Sequence, residues 1–182
     1  MNPLEILSVI TSLISVFLVV KNNIWAWPLG IVSNLLYLIL FYQTHIWGNL
    51  ILQIVFIGQS IYCWYNWNKP DDHKISWMNK SDRYKSIAIL LVISYVMYFF
   101  LSYFNEKSLY LDAFTTALCI SGMFYLSKRK IENWIFWVTA DTLFIFLFFI
   151  NGLYILSASY LVFLGLATSG FLKWKNIKNE QN

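Results

Sequence analysis

Shifted by 107 positions, the chain matches itself without a gap. Leu4 meets Leu111, Lys21 meets Lys128, Ile24 meets Ile131 and Trp27 meets Trp134. Farther on, Leu40-Phe41 meets Leu147-Phe148, Val55-Phe56-Ile57-Gly58 meets Val162-Phe163-Leu164-Gly165, and Trp67 meets Trp174. Polar positions correspond too, Glu5 with Asp112 and Asn34 with Asp141. Leu and Phe coincidences are cheap in apolar sequence. Trp, Gly and acidic matches at one constant offset are not, and they mark a duplicated unit.

The unit is built for lipid. Charged residues make up 12% of the chain and hydrophobic ones 59%, against about 25% charged in a soluble domain. Seven apolar runs are long enough to span, near 3–20, 25–43, 48–67, 86–104, 109–127, 132–150 and 153–173. Each repeat holds three of them, and the fourth is a connector. Matching spans are then four apart and cross in the same direction. The expected fold is an all-α polytopic membrane protein with seven transmembrane helices in 3+1+3 parallel repeats. It forms one membrane domain: repeat one over 3–67, loop and connector helix over 68–104, repeat two over 109–174, and a tail over 175–182. Parallel repeats are related by an axis along the membrane normal and place a substrate site at their interface near the midplane.

Charge sets the expected orientation. In a seven-span chain, all of the 13 Lys and Arg except Lys107 fall on one side. The positive-inside rule puts that side in the cytoplasm, with the N-terminus outside and the C-terminus inside. The first apolar run lacks a basic n-region and a small-residue cleavage site, so it reads as a retained span. Trp25, Trp47 and Trp77 suit an interfacial belt. The loop from Asn68 to Lys85 reads as a solvated connector.

Few polar side chains lie deep in the spans. In the run from Trp134 to Ile150, Trp134, Trp137 and Asp141 fall at i, i+3 and i+7 on one helical face. Asp141 sits about 10 Å beyond Trp134, near the midplane, where a carboxylate costs roughly 2.5–3.5 kcal/mol on insertion scales. It is therefore expected to face a partner or a cavity. Trp134 is nearer the cytoplasmic end, where it could also serve the belt. Asn34, Gln53 and Gln59 are amides suited either to interhelical hydrogen bonds or to ligand. Thr115, Thr116, Ser159, Thr168 and Ser169 suit back-bonding, and Gly30, Gly58, Gly165 and Gly170 suit close helix approach. Glu5 and Asp112, near the outer ends, read as helix caps or dipole complements. Indole faces attract cations and a buried carboxylate wants a positive partner. The solute these residues suggest is small, flat, cationic and hydroxylated, with a sugar or neutral nucleoside still open.

Other chemistries lack residues. His45 and His73 map to loops, and no HExxH, CxxC or GxxxxGK[ST] occurs, so metal hydrolysis and ATP-driven pumping have no machinery and no cofactor is expected. One midplane carboxylate without a like neighbour argues against an aspartyl protease, and no charge ring or filter loop suggests a channel. The basic residues are split among loops, which excludes nucleic acid as a partner. Cys63 and Cys119 read as small hydrophobes.

Lys21-Asn-Asn-Ile-Trp-Ala-Trp27, Tyr62-Cys-Trp-Tyr-Asn-Trp67, Glu132-Asn-Trp-Ile-Phe-Trp-Val-Thr-Ala-Asp141, Gly152-Leu-Tyr154 and Lys173-Trp174 resemble the PnuC family of vitamin transporters over nearly the whole chain. The resemblance implies a SWEET-like 3+1+3 bundle in the inner membrane. It implies facilitated diffusion of nicotinamide riboside, with thiamine or another nucleoside-like vitamin as the alternative cargo. A cytoplasmic salvage kinase would trap the product. Trp137 would stack on the pyridinium, with Trp134 beside it, and Asp141 would balance charge or bind ribose. Asn34, Gln53 and Gln59 would bind hydroxyls or carboxamide. The first repeat departs from the motif, with Gly30 at the place of Trp137 and Asn34 at that of Asp141. The expected partners are the cationic substrate, the bilayer and, as an option, further copies of the chain in a homo-oligomer. A membrane-embedded enzyme, with Asp141 catalytic, is the different-class alternative.

Overall fold

A computed structural model of the chain describes residues 3–67, 74–103 and 108–180. Seven helices follow in order: α1 (Pro3–Val20), α2 (Ala26–Thr44), α3 (Trp47–Trp67), α4 (Lys80–Ser102), α5 (Leu109–Ser127), α6 (Asn133–Ile150) and α7 (Tyr154–Glu180). Six are long and apolar enough to cross a membrane. The seventh, α3, has the length, but Asn49, Gln53, Gln59, Ser60 and Asn66 lower its hydropathy. α4 starts earlier than its apolar run because Asn79 caps it, its Oδ1 accepting from Asp82 N at 2.7 Å. α7 runs on through the expected tail to Glu180.

The turns repeat along with the helices. Asn22 and Arg129, 107 apart, both take positive φ, at 54° and 49°. Asn22 N donates to Val19 O and Asn23 N to Leu18 O; the corresponding Arg129 N and Lys130 N donate to Leu126 O and Tyr125 O. At the other end His45 (φ 57°) and Gly152 (φ 76°) form the second such pair. Left-handed backbone is uncommon outside Gly and Asn, so its recurrence at one offset marks two copies of one hairpin geometry.

Packing closes the copies into a ring. α1 packs on α2, α2 on α3, α3 on α5, α5 on α6, α6 on α7, and α7 back on α1. α4 stands outside the ring against α5, touching α3 only slightly. Its Leu91, Val92, Tyr95, Val96 and Phe99 are exposed, as suits a helix facing lipid. With one helix removed from the ring, α3 and α5 run parallel, as do α1 and α7. These two parallel pairs are the seams between the halves.

Both seams carry a carboxylate at the end away from the lysines. Glu5 Oε1 on α1 accepts from Leu156 N in the first turn of α7 at 3.1 Å. Its mate Asp112 on α5 accepts from Asn49 Nδ2 in the first turn of α3 at 3.2 Å. Each acid lies in the first turn of its own helix and also complements a helix N-terminus of the opposite half. Gly48 makes room, since a Cβ there would lie 2.8–2.9 Å from the Asp112 carboxylate.

The lysine-rich end is closed by indoles. Trp27 meets Trp67 edge-on at 4.8 Å, and their mates Trp134 and Trp174 do the same at 5.4 Å. Trp67 and Trp174 then meet each other at 6.4 Å. Arg129 lies 4.2 Å over the Trp67 ring and donates from Nε to Asn22 Oδ1 at 3.3 Å.

Residues 74–79 are not the solvated connector expected. Ser76 pairs with the α5–α6 turn through Ser76 N to Arg129 O and Ile131 N to Ser76 O. Ile75 and Met78 are buried, and Trp77 packs on Phe171 of α7. Glu132 fixes the strap by accepting from Met78 N at 2.8 Å and pairing with Arg83 at 3.1 Å. Apolar Ile75 and Met78 inside a charged stretch drive this docking. The rest of the expected loop, 68–73, lies outside the described residues.

Candidate functional site

Inside the ring lies a cavity of about 150 Å³. Its lining is drawn from both copies, largely as mates: Trp27 with Trp134, Gly30 with Trp137, Asn34 with Asp141, Tyr37 with Phe144, Gln53 with Tyr160, and Phe56 with Phe163. The cavity therefore sits on the axis relating the halves. Phe41 and Phe148 meet at its far end, and Trp67 and Trp174 at its lysine-rich end.

The α6 face builds one wall in layers. A rise of about 1.5 Å per residue orders Trp134, Trp137, Asp141 and Phe144 from the lysine-rich end outward. Trp134 is buried against α7, where Gly170 lacks the side chain that would meet its ring at 2.6–2.7 Å. Trp137 is partly exposed to the cavity and faces the Phe56 ring at 5.9 Å. The α5 helix yields to Trp137 at Gly122, whose added Cβ would come within 3.4 Å of the indole. In the first half both positions are reversed in bulk, with Ser15 for Gly122 and Gly30 for Trp137. The second half therefore carries an indole at a level where the first half is small, at Ser15 and Gly30.

Asp141 is 4% exposed. Its carboxylate has no hydrogen bond or ion pair among the described residues. Its mate Asn34 is likewise without a side-chain hydrogen bond there. A buried carboxylate without compensation is costly, and a cation in the cavity would supply the missing partner. The other polar groups are more committed. Gln53 Nε2 donates to Asn49 O at 3.2 Å. Tyr37 and Ser12 share a hydrogen bond of 3.1 Å. Ser33 Oγ is buried without a partner among the described residues.

Of the six residues expected at the site, Trp134, Trp137, Asp141, Asn34 and Gln53 line the cavity and Gln59 does not. At about 100° per residue, Asn49, Leu52, Gln53, Phe56 and Ser60 share the inward face of α3. Gln59 falls just beyond its edge and bonds Cys63 Sγ at 3.9 Å. Sequence reasoning missed Tyr37, Tyr160, Phe144 and Ser12. The offset would have found three of them, because Tyr160 is the mate of Gln53 and Tyr37 of Phe144 on the Asp141 face.

A closed ring of membrane-length helices, two parallel copies and a largely apolar cavity with a few polar groups on their shared axis define a multi-pass membrane transporter. Comparison with known proteins narrows the class. The chain belongs to the nicotinamide mononucleotide transporter family, whose family model matches residues 2–176, and it is a transporter rather than an enzyme. It is 23% identical to the nicotinamide riboside transporter PnuC of Escherichia coli (strain K12), over 98% of this chain and 87% of that protein. It is 26% identical to the riboflavin/roseoflavin transporter RibM of Streptomyces davaonensis, over 91% of this chain and 81% of that one. The crystal structure of the vitamin B3 transporter PnuC shares the fold, with a TM-score of 0.84 at 20% identity, over 98% of this chain and 83% of that one.

Proposed function

We propose that this chain carries nicotinamide riboside across the inner membrane by facilitated diffusion, with its lysine-rich end in the cytoplasm and its N-terminus outside. The observation that carries the reading is Asp141, a buried carboxylate with no partner among the described residues, one turn beyond an indole that faces the same cavity. A pyridinium stacked on Trp137 places its positive nitrogen within reach of that carboxylate, and the cation–π contact adds about 0.5–2 kcal/mol. Asn34 and Gln53, from the opposite half, offer amide groups to the hydroxyls and carboxamide.

The transport cycle follows from the seams. Rocking one half against the other about the axial site opens one end while the other stays closed. No step consumes energy, so net uptake stops at equal concentrations. A cytoplasmic kinase that phosphorylates the nucleoside removes it from the equilibrium and keeps uptake running.

Riboflavin and thiamine are the informative competitors. Riboflavin is neutral and broader than a pyridinium nucleoside, and leaves Asp141 without a counter-charge. The test is uptake of labelled nicotinamide riboside into proteoliposomes with each vitamin as competitor. The reading predicts saturable uptake to equal concentrations, with unlabelled riboside the strongest competitor. Stronger competition by riboflavin or thiamine, or accumulation above the outside concentration without a gradient, contradicts it.

A further inference from the structure

We propose that Tyr160 is a specificity-determining residue that hydrogen-bonds the hydroxylated substituent on the ring nitrogen of the substrate. The inference rests on the proposed pyridinium nucleoside cargo and assigns a part of it to a residue outside the Trp137–Asp141 face.

Tyr160 lines the cavity from α7. Its ring is held from three sides, by Phe144 at 4.9 Å, Phe148 at 5.2 Å and Phe163 at 5.1 Å. Its hydroxyl makes no hydrogen bond among the described residues. Tyr37, the other cavity tyrosine, spends its hydroxyl on Ser12. A tyrosine hydroxyl inside a protein ordinarily finds a partner, so a fixed ring with an unused hydroxyl on a cavity wall is a group waiting for ligand. Rigid placement of the ring also keeps the ordering cost of that bond low.

Its level in the ring identifies what it meets. Phe144 and Phe148 lie about 4 and 10 Å beyond Asp141 along α6, and Tyr160 packs on both. Trp137 lies about 6 Å on the other side of Asp141. With the aromatic ring on Trp137 and its positive nitrogen turned to Asp141, whatever that nitrogen bears extends toward Tyr160. In a nucleoside this is the sugar. Gln53, the mate of Tyr160, reaches the same layer from across the axis.

The experiment compares two cations with the same head. Nicotinamide riboside and 1-methylnicotinamide share the pyridinium and the carboxamide, and differ in bearing ribose or a methyl group. Binding of each to purified protein is measured by titration calorimetry for the wild type, Tyr160→Phe and Asp141→Asn. Tyr160→Phe removes one oxygen and keeps the packed ring. The expected result is roughly 3- to 10-fold weaker riboside binding, as for the loss of one hydrogen bond, with 1-methylnicotinamide affinity within twofold of wild type. Equal weakening of both, or of neither, overturns the assignment. Asp141→Asn separates the two ideas: it should weaken both cations, and if it weakens neither, the cargo reading fails whatever Tyr160→Phe does. Tyr160→Gln, which places the mate's amide there, checks that hydrogen bonding rather than ring shape is read. It should recover part of the preference lost in Tyr160→Phe, and no recovery counts against the assignment.

Discussion

Phe41 and Phe148, 107 positions apart in the chain, stack with ring centroids 5.9 Å apart and planes 9° from parallel. Two residues related by a twofold can touch each other only on the axis. The contact therefore locates the axis at the far end, as Trp67–Trp174 and Asn22–Arg129 locate it at the lysine-rich end. The three pairs bracket the cavity, so opening either end requires mates to part.

Phe148→Ala should loosen the far end. Large-to-small changes of a buried Phe cost about 3–5 kcal/mol, and both Phe41 and Tyr160 lose a ring partner. Cys119 lines the cavity and is a free thiol. In a Cys63→Ser background, an impermeant thiol reagent added at the far side should label Cys119 faster in Phe148→Ala than in the parent. Unchanged labelling would place the barrier elsewhere.

Glu5→Gln and Asp112→Asn should behave alike because the two acids serve equivalent seams. Each loses the charge held at the first turn of a helix, worth about 0.3–2 kcal/mol, and the thermal midpoint in detergent should fall in both. The Gly48→Ala penalty should shrink when Asp112 is replaced by Ala, since the added Cβ meets the Asp112 carboxylate at 2.8–2.9 Å. A penalty that ignores Asp112 would remove that explanation.

Arg129→Lys should weaken the lysine-rich closure. A lysine keeps the charge but loses the planar face that lies 4.2 Å over Trp67. The loss should be about 0.5–2 kcal/mol. In a cycle with Trp67→Leu the two effects should be less than additive. Full additivity would show that the two side chains do not act together.

The four glycines expected to allow close helix approach, Gly30, Gly58, Gly165 and Gly170, separate into two kinds. Gly170→Ala drives a Cβ to 2.6–2.7 Å from the Trp134 ring, and Gly30→Ala one to 3.1 Å from Ser15 Oγ. Among the described residues Gly58 and Gly165 meet nothing within 4 Å, so the close approach expected of them is not there. Gly58→Ala should be neutral or stabilising by up to about 1 kcal/mol, whereas Gly170→Ala should lower both the thermal midpoint and riboside affinity. Thermal melts of the two variants side by side decide the matter.

The duplication was legible because Trp27, Trp67, their mates and the acid pairs are rare residues at one spacing. Helix periodicity then brought Trp134, Trp137 and Asp141 to one face, and the structure keeps them there. Gln59 misled because a polar residue in an apolar run looks functional whatever its azimuth, and only the inward arc of α3 separates it from Gln53. Tyr160 was hidden for the opposite reason, since a tyrosine among phenylalanines carries no signal until its hydroxyl is seen without a partner. The strap at 74–79 was read by its charge, while Ile75 and Met78 decide its docking. The seam pairing of Glu5 with α7 and Asp112 with α3 depends on ring closure, a long-range fact that local pattern does not contain.

The most direct test concerns the carboxylate of Asp141. Nicotinamide riboside and its dihydropyridine form have nearly one shape, but only the first carries a charge. Binding of both is measured on wild type and on Asp141→Asn. The account predicts that the substitution weakens the cation on the order of 100-fold, as expected when one member of a buried charge pair is lost, and changes the neutral form by less than about threefold. Equal effects on the two forms would contradict it, because Asp141 would then hold shape rather than charge.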